Sequence, residues 1–158
     1  MNILWTTFWG KIVLTLLVSM VPVIELRGAI PLAVGNGLAP NVAIPVAVLG
    51  NMIPIPFIIL FIRQIFAWMK KHLPKLNRLV EKLEEKGKSK KDVIEKGAFW
   101  GLFLLVAIPL PGTGAWTGAL IAAMMNLRLK VALPAIFLGV IGAGAIVAFV
   151  SYGVAALF

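Results

Sequence analysis

The sequence predicts an all-α integral membrane protein, an inverted repeat of a re-entrant helical hairpin plus a transmembrane helix, its halves joined by a basic cytoplasmic loop. Three observations carry that expectation. Of 158 residues, 61% are hydrophobic and only 13% charged, with a mean hydropathy of +1.00, far from the composition of an ordinary soluble domain. The apolar chain is interrupted by one polar stretch, 70–97, which holds ten of the 15 Lys and Arg and five of the six acids. Finally, VAIPVAVLG at 42–50 matches VALPAIFLG at 131–139 with five identities in nine, pairing Pro45 with Pro134 and Gly50 with Gly139.

The first repeat, 1–69, opens on MNILWTTFWGKIVLTLLVSM, which has no basic region ahead of its apolar run and no convincing cleavage site, so it is expected to belong to the mature protein. Apolar residues 11–21 make about 16 Å of helix, roughly half of a hydrocarbon core of about 30 Å. The breaker PVIELRGAIP follows, then a second short arm at 29–38, giving a hairpin over about 11–38. The alternative, an ordinary span over 3–21, would put Lys11 near the bilayer centre at about 2.5 to 3.5 kcal/mol. A span over about 42–68 comes next, kinked by Pro54 and Pro56.

The 70–97 segment reads as a water-exposed loop with a helix around Leu76 to Glu85, striped by Leu76, Leu79, Val80 and Leu83. Its positive charge places it in the cytoplasm. Its lysines, with His72 at its edge, suit lipid headgroups, and no nucleic-acid partner is expected. The second repeat, 98–158, has arms at 98–108 and 115–125 around PLPGTG, a hairpin over about 98–125, and a span over about 131–157. In its breaker Pro109 and Pro111 lack backbone donors, while Gly112 and Gly114 permit left-handed turns. Gly139, Gly142 and Gly144 serve either close helix packing or a dimer face.

One hairpin plus one span is an odd number of crossings, which inverts the second repeat. The connector GNGLAPN after the first hairpin is uncharged, whereas NLRLK after the second carries Arg128 and Lys130, as that topology requires. Trp5 and Trp9 then fall at the outer interface, Trp68 and Trp100 at the inner one, and Trp116 near the middle.

An 89-residue offset places Pro22 on Pro111 and Glu25 on Gly114, so the two breakers occupy equivalent positions. Interrupted apolar segments at matching positions in two halves are the pointer to a transporter's site. Glu25 is the only acid outside the loop. A charge held within the bilayer is a functional hypothesis by default; the alternative is a structural ion pair with Arg27. Residues two apart do not face each other on a helix, but they can in an unwound turn loosened by Gly28 and closed by Pro31. Desolvation and a neighbouring guanidinium act in opposite directions on the proton affinity of Glu25, which suits proton coupling. Arg27 stays charged and offers a planar fork for phosphate or carboxylate.

The second arms are expected to begin around Gly28 and Ala29 and around Gly114 to Trp116, aiming free N–H groups at one region and favouring an anion. Thr113 and Thr117 either add donors or bond back to carbonyls. Trp116 either stacks on substrate or fills its turn, and Asn51 either contacts substrate or bonds between helices. With no cysteine, one histidine, no nucleophile and base pair and no phosphate loop, neither metal nor cofactor is expected, and an enzyme is not the reading.

ELRGAIP followed by GLAPN and GN, with PLPGTGAWTGAL in the second half, resembles the small multidrug export family of prokaryotic membrane proteins over nearly the whole chain. That family is similar to the DedA (SNARE-associated, VTT-domain) superfamily. The resemblance implies two inverted re-entrant hairpins, each packed on a membrane helix, in a prokaryotic plasma membrane. It also implies a transporter-like role linked to proton-dependent drug and pH tolerance and to recycling of undecaprenyl phosphate, with essential acidic and arginine residues that map onto Glu25 and Arg27. The DedA pattern has an arginine near its second Pro-Gly turn, whereas this chain has Pro111, Gly112 and Thr113 and no arginine until Arg128.

The expected function is therefore a proton-coupled carrier or translocase of an anionic lipid phosphate such as undecaprenyl phosphate. Export of cationic or neutral drugs, with Glu25 as counter-charge, is the alternative. A non-transporting structural or assembly protein, with the Glu25 and Arg27 pair as a staple, is the third. The expected partners are membrane lipids, protons, the amphiphile or drug, and a second copy of the chain.

Overall fold

Short apolar helices separated by proline and glycine breaks set the architecture. The computed structural model describes residues 6–72, 78, 81, 85, 97–110 and 112–155, and among these every regular element is a helix. In chain order they are α1 (Phe8–Met20), α2 (Glu25–Gly35), α3 (Pro40–Met52), α4 (Pro54–His72), α5 (Ala98–Ala107), α6 (Ala115–Met124) and α7 (Leu129–Ala155). The stripe expected around Leu76 to Glu85 lies outside the described residues.

The pattern of two short helices and then a long apolar segment occurs twice. Pro40–Ile62 and Leu129–Ser151 are long and apolar enough to cross a membrane. The first carries the kink expected at Pro54 and Pro56 as a break at Ile53, between α3 and α4. Pro54 and Pro56 cannot donate to the carbonyls four residues before them, so the ladder restarts there. The second half tolerates Pro134 and continues through it.

α1 and α2 form a helical hairpin. The Lys11 ammonium lies beside Gly37, which brings the start of α1 to the end of α2 and leaves residues 21–24 as the tip. α5 and α6 form the second hairpin, Val106 and Leu102 lying against Gly118. Each first arm packs on the long segment of its own half, α1 on α3 and α5 on α7. Each second arm also packs on the other half's long segment, α2 on α7 and α6 on α4.

The repeat-matched glycines explain the first of these pairings. A Cβ on Gly50 would overlap Ser19 Oγ and approach the Leu16 carbonyl to 2.5 Å; one on Gly139 would lie 2.7 Å from Val106 Cβ and 3.0 Å from the Phe103 carbonyl. Both halves thus use glycine where the first arm crosses closest, as membrane helices do when packing replaces a hydrophobic drive. Thr15 and Ser19 are fully buried in that contact and bond within their own helix, to the Lys11 carbonyl at 2.7 Å and the Leu16 carbonyl at 2.8 Å. Gly142 and Gly144 also face groups of this chain, Ala107 for one and Ile44, Leu26 and Val48 for the other. The glycine run of α7 therefore serves packing within the chain.

Leu26, Ile30, Ile55, Val106, Ile136 and Val140 fill the centre, packed among alanines such as Ala29, Ala47, Ala119 and Ala135. The outward faces are apolar as well, with Trp9, Trp100 and Phe149 exposed, a surface that suits hydrocarbon. Gly50→Val and Gly139→Val are each expected to cost about 1 to 3 kcal/mol through overpacking. Thermal unfolding followed by tryptophan fluorescence checks this, and Gly35→Ala, where a Cβ meets nothing within 4 Å, is the control.

Candidate functional site

The first tip is strained where the helix resumes. Val23 and Glu25 have φ of +78° and +48°, the left-handed region that side chains seldom adopt. Strain of this kind costs on the order of 1 to 3 kcal/mol and persists only where the surroundings impose it. The Glu25 N–H donates to the Val21 carbonyl and the Gly28 N–H to the Ile24 carbonyl, both at 3.0 Å, so α2 is already wound at ELR. The unwound residues are 21–24, not the ELRG stretch that sequence reasoning loosened at Gly28. Helix α2 accordingly begins at Glu25 and not at Gly28 or Ala29.

That shift bears on the alternative reading, a structural ion pair between Glu25 and Arg27. On a helical turn Glu25 and Arg27 point apart, and among the described residues they form no salt bridge with each other. Both reach across to the second tip instead. Glu25, 5% exposed, accepts a hydrogen bond from the Trp116 N–H at 3.1 Å on Oε1, with the Ala115 N–H also facing its carboxylate. Arg27 Nη1 donates to the Leu110 carbonyl at 2.6 Å, and Nη2 donates to Thr113 Oγ1 at 3.1 Å and to the Ile108 carbonyl at 3.3 Å.

The electrostatic sense of both contacts is the same. Glu25 sits at the N-terminus of α6, the positive end of its dipole, and Arg27 sits on the carbonyls just past the C-terminus of α5, the negative end. The first tip thereby satisfies an orphan N–H of α6 and adds a cation to two carbonyls that already accept within the second tip, Ile108 from the Leu110 N–H and Leu110 from the Thr113 N–H. Gly112 and Gly114, with φ of +79° and +137°, turn the chain between those ends. Gly114 carries a second requirement, because a Cβ there would overlap the Glu25 carboxylate. Glu25 and Gly114 are the positions that the 89-residue offset made equivalent, and they meet at the junction of the halves.

Thr113 organises the turn and the guanidinium together. Its Oγ1 accepts from Arg27 and from the Leu110 N–H at 3.2 Å, and its hydrogen reaches the Ile108 or Leu110 carbonyl, each at 2.8 Å. Thr117 Oγ1 donates to the Gly112 carbonyl at 3.1 Å, so it bonds back to the turn.

Between the tips lies a cavity of about 570 Å³, lined by Glu25, Arg27, Thr113, Trp116 and Thr117 with Pro109, Gly112 and the apolar Val23 and Leu110 at its walls. Two buried donors, Arg27 Nε and Trp116 Nε1, have no partner. Trp116, stranded by the sequence topology, is thus a wall of this cavity. Four of the described candidates are not among its lining residues: Gly28 and Pro31 lie further along α2, Asn51 is fully buried in α3, and Gly114 lies against the Glu25 carboxylate. Asn51 makes no interhelical hydrogen bond either, since both its amide atoms lack a partner. Pro111 lies outside the described residues. The sequence reading missed the Ile108 and Leu110 carbonyls, although Pro109 and Pro111, which cannot continue a helix, were the signal that carbonyls leave the helical ladder just there.

A family model described as "Putative small multi-drug export protein" matches residues 25–146. The match takes in Glu25, Arg27 and the whole second tip. No curated protein and no solved structure matches the chain.

Proposed function

The chain belongs to the small multidrug export family, and from that membership and the tip-to-tip cavity we propose that it is a proton-coupled transporter of an anionic, phosphate-bearing amphiphile. The observation that carries this is the cavity's charge: Glu25 and Arg27 are its ionisable lining groups, set where two helix ends converge. Unpartnered N–H donors favour an anion, and the apolar walls at Val23 and Leu110 favour hydrocarbon next to it. Undecaprenyl phosphate fits that chemistry, as the resemblance to the DedA superfamily implies.

In this reading the two helical hairpins are re-entrant and the repeats, 1–69 and 98–158, are inverted about the tips. The 70–97 loop faces the cytoplasm of a prokaryotic cell, and a second copy of the chain covers part of the exposed apolar surface. The reciprocal packing of each second arm on the other half's long segment supports an approximate two-fold relation.

Glu25→Gln tests it in proteoliposomes. Transport is expected to fall about tenfold or more, equivalent to about 1.4 kcal/mol, and to lose its pH dependence while Tm changes little. Intact transport with an unchanged pH profile would overturn the reading. Export of cationic or neutral drugs is the second reading, favoured by the family's description, with Glu25 as counter-charge for a cation. Competition by alkyl phosphates against competition by lipophilic cations separates the two.

A further inference from the structure

The α6 N-terminus is already occupied by an anion that belongs to the protein. We propose that the Glu25 carboxylate holds the place of the transported anion, which takes the Ala115 and Trp116 N–H groups only when Glu25 has accepted a proton from bulk water and withdrawn. This rests on the reading of the cavity as an anion site, and it adds the order of events and the atoms exchanged.

Four features support it. Glu25 Oε1 is hydrogen-bonded to the Trp116 N–H, which shows that the position accepts a carboxylate oxygen. Gly114 supplies the space, its missing Cβ being what admits both carboxylate oxygens. Two of the cavity's lining side chains hold donors that Glu25 leaves unused, Arg27 Nε and Trp116 Nε1, which are buried and come within reach of a ligand when those side chains turn. A phosphate group has more acceptor oxygens than the one bonded carboxylate and suits these extra donors. Finally, the cavity holds one fixed cation, Arg27, so two anions together would repel each other with a single counter-charge.

Among the described residues Glu25 and Arg27 are the ionisable groups lining the cavity, and α4, packed on α6, carries Arg63, Lys70, Lys71 and His72 along its second half. α3, α5 and α6 carry none. α1 contributes Lys11, held beside Gly37 at the far end of the hairpin, and α7 contributes Lys130 in its first turn. The anion is thus bound together with one proton, and the cavity's net charge is unchanged by the exchange when the anion is a monoanion and falls by one when it is a phosphate dianion.

The test uses the full-length protein in detergent, with inorganic phosphate and formate as probes and thermal shift as readout, from pH 5.5 to 8. Wild type should bind phosphate more weakly as pH rises, approaching tenfold per pH unit where the exchange is linked to one proton. Glu25→Ala should bind it about tenfold or more tightly than wild type at pH 7.5, with little pH dependence beyond that of phosphate itself, and formate should restore part of its lost Tm. Should Glu25→Ala fail to fold, Glu25→Gln must show the same loss of pH dependence. Equal affinities and equal pH profiles in wild type and variants overturn the placeholder while leaving an anion site standing. Binding of lipophilic cations without phosphate or alkyl phosphate binding in any variant overturns both.

Discussion

Gly114→Ala is expected to abolish transport and to lower Tm by about 10 °C, through backbone strain and displacement of the Glu25 carboxylate together. Gly114 has φ of +137° and ψ of −174°, a region essentially closed to residues with a side chain, at about 1 to 3 kcal/mol of strain. The added carbon would also stand 2.8 Å from the carboxylate carbon of Glu25, so the acid must leave the α6 N-terminus or push the tips apart. Overpacking of that kind adds about 1 to 3 kcal/mol. Gly112→Ala provides the comparison, since its φ is +79° but a Cβ there meets nothing within 4 Å. It should show the backbone strain alone and keep its pH-dependent transport. Equal Tm losses in the two variants would mean that contact with Glu25 contributes nothing.

Exchanging the charges, Glu25→Arg with Arg27→Glu, is expected to prevent a stable fold from accumulating. Were the two residues a mutual ion pair, the exchange would preserve the pair and be tolerated. Their actual partners are helix ends of opposite sign. An arginine at 25 would face the Ala115 and Trp116 N–H donors, and a glutamate at 27 would face the Ile108 and Leu110 carbonyls. Both contacts become repulsive, and the charge left unpaired at the buried position 25 alone costs about 3 to 5 kcal/mol, against a total stability of about 5 to 15 kcal/mol. Membrane expression and monodispersity of the double variant against each single variant decide the matter. A monodisperse double variant more stable than either single one would show that the pair is mutual. Because the exchange fails for structural and transport roles alike, Glu25→Gln is the variant that distinguishes them.

Much of the helical layout was legible because proline and glycine act locally. The arms at 98–108 and 115–125 lie within a residue of α5 and α6, since Pro109, Gly112 and Gly114 break the ladder wherever they are placed. The first tip was misread by about four residues, because Gly28 and Pro31 resemble breakers but sit within α2. Pro31 is tolerated there on an exposed face, and the turn was made instead by Val21 to Ile24 with Val23 at positive φ, a conformation that Val23's identity argues against. Composition also hid why Asn51 is polar, and its fully buried amide has no partner to explain it.

By itself the sequence determined that the chain is helical and apolar, that it repeats, and that Glu25 and Arg27 are the unusual charges of its first half, because composition, period and breakers are properties of neighbours along the chain. Only the tertiary structure decided what those charges face. Two residues apart on one helical turn, they are separated by the geometry of the turn and matched to N–H and carbonyl groups at the helix ends of a tip more than eighty residues away. That pairing depends on how two hairpins meet, which no local pattern encodes.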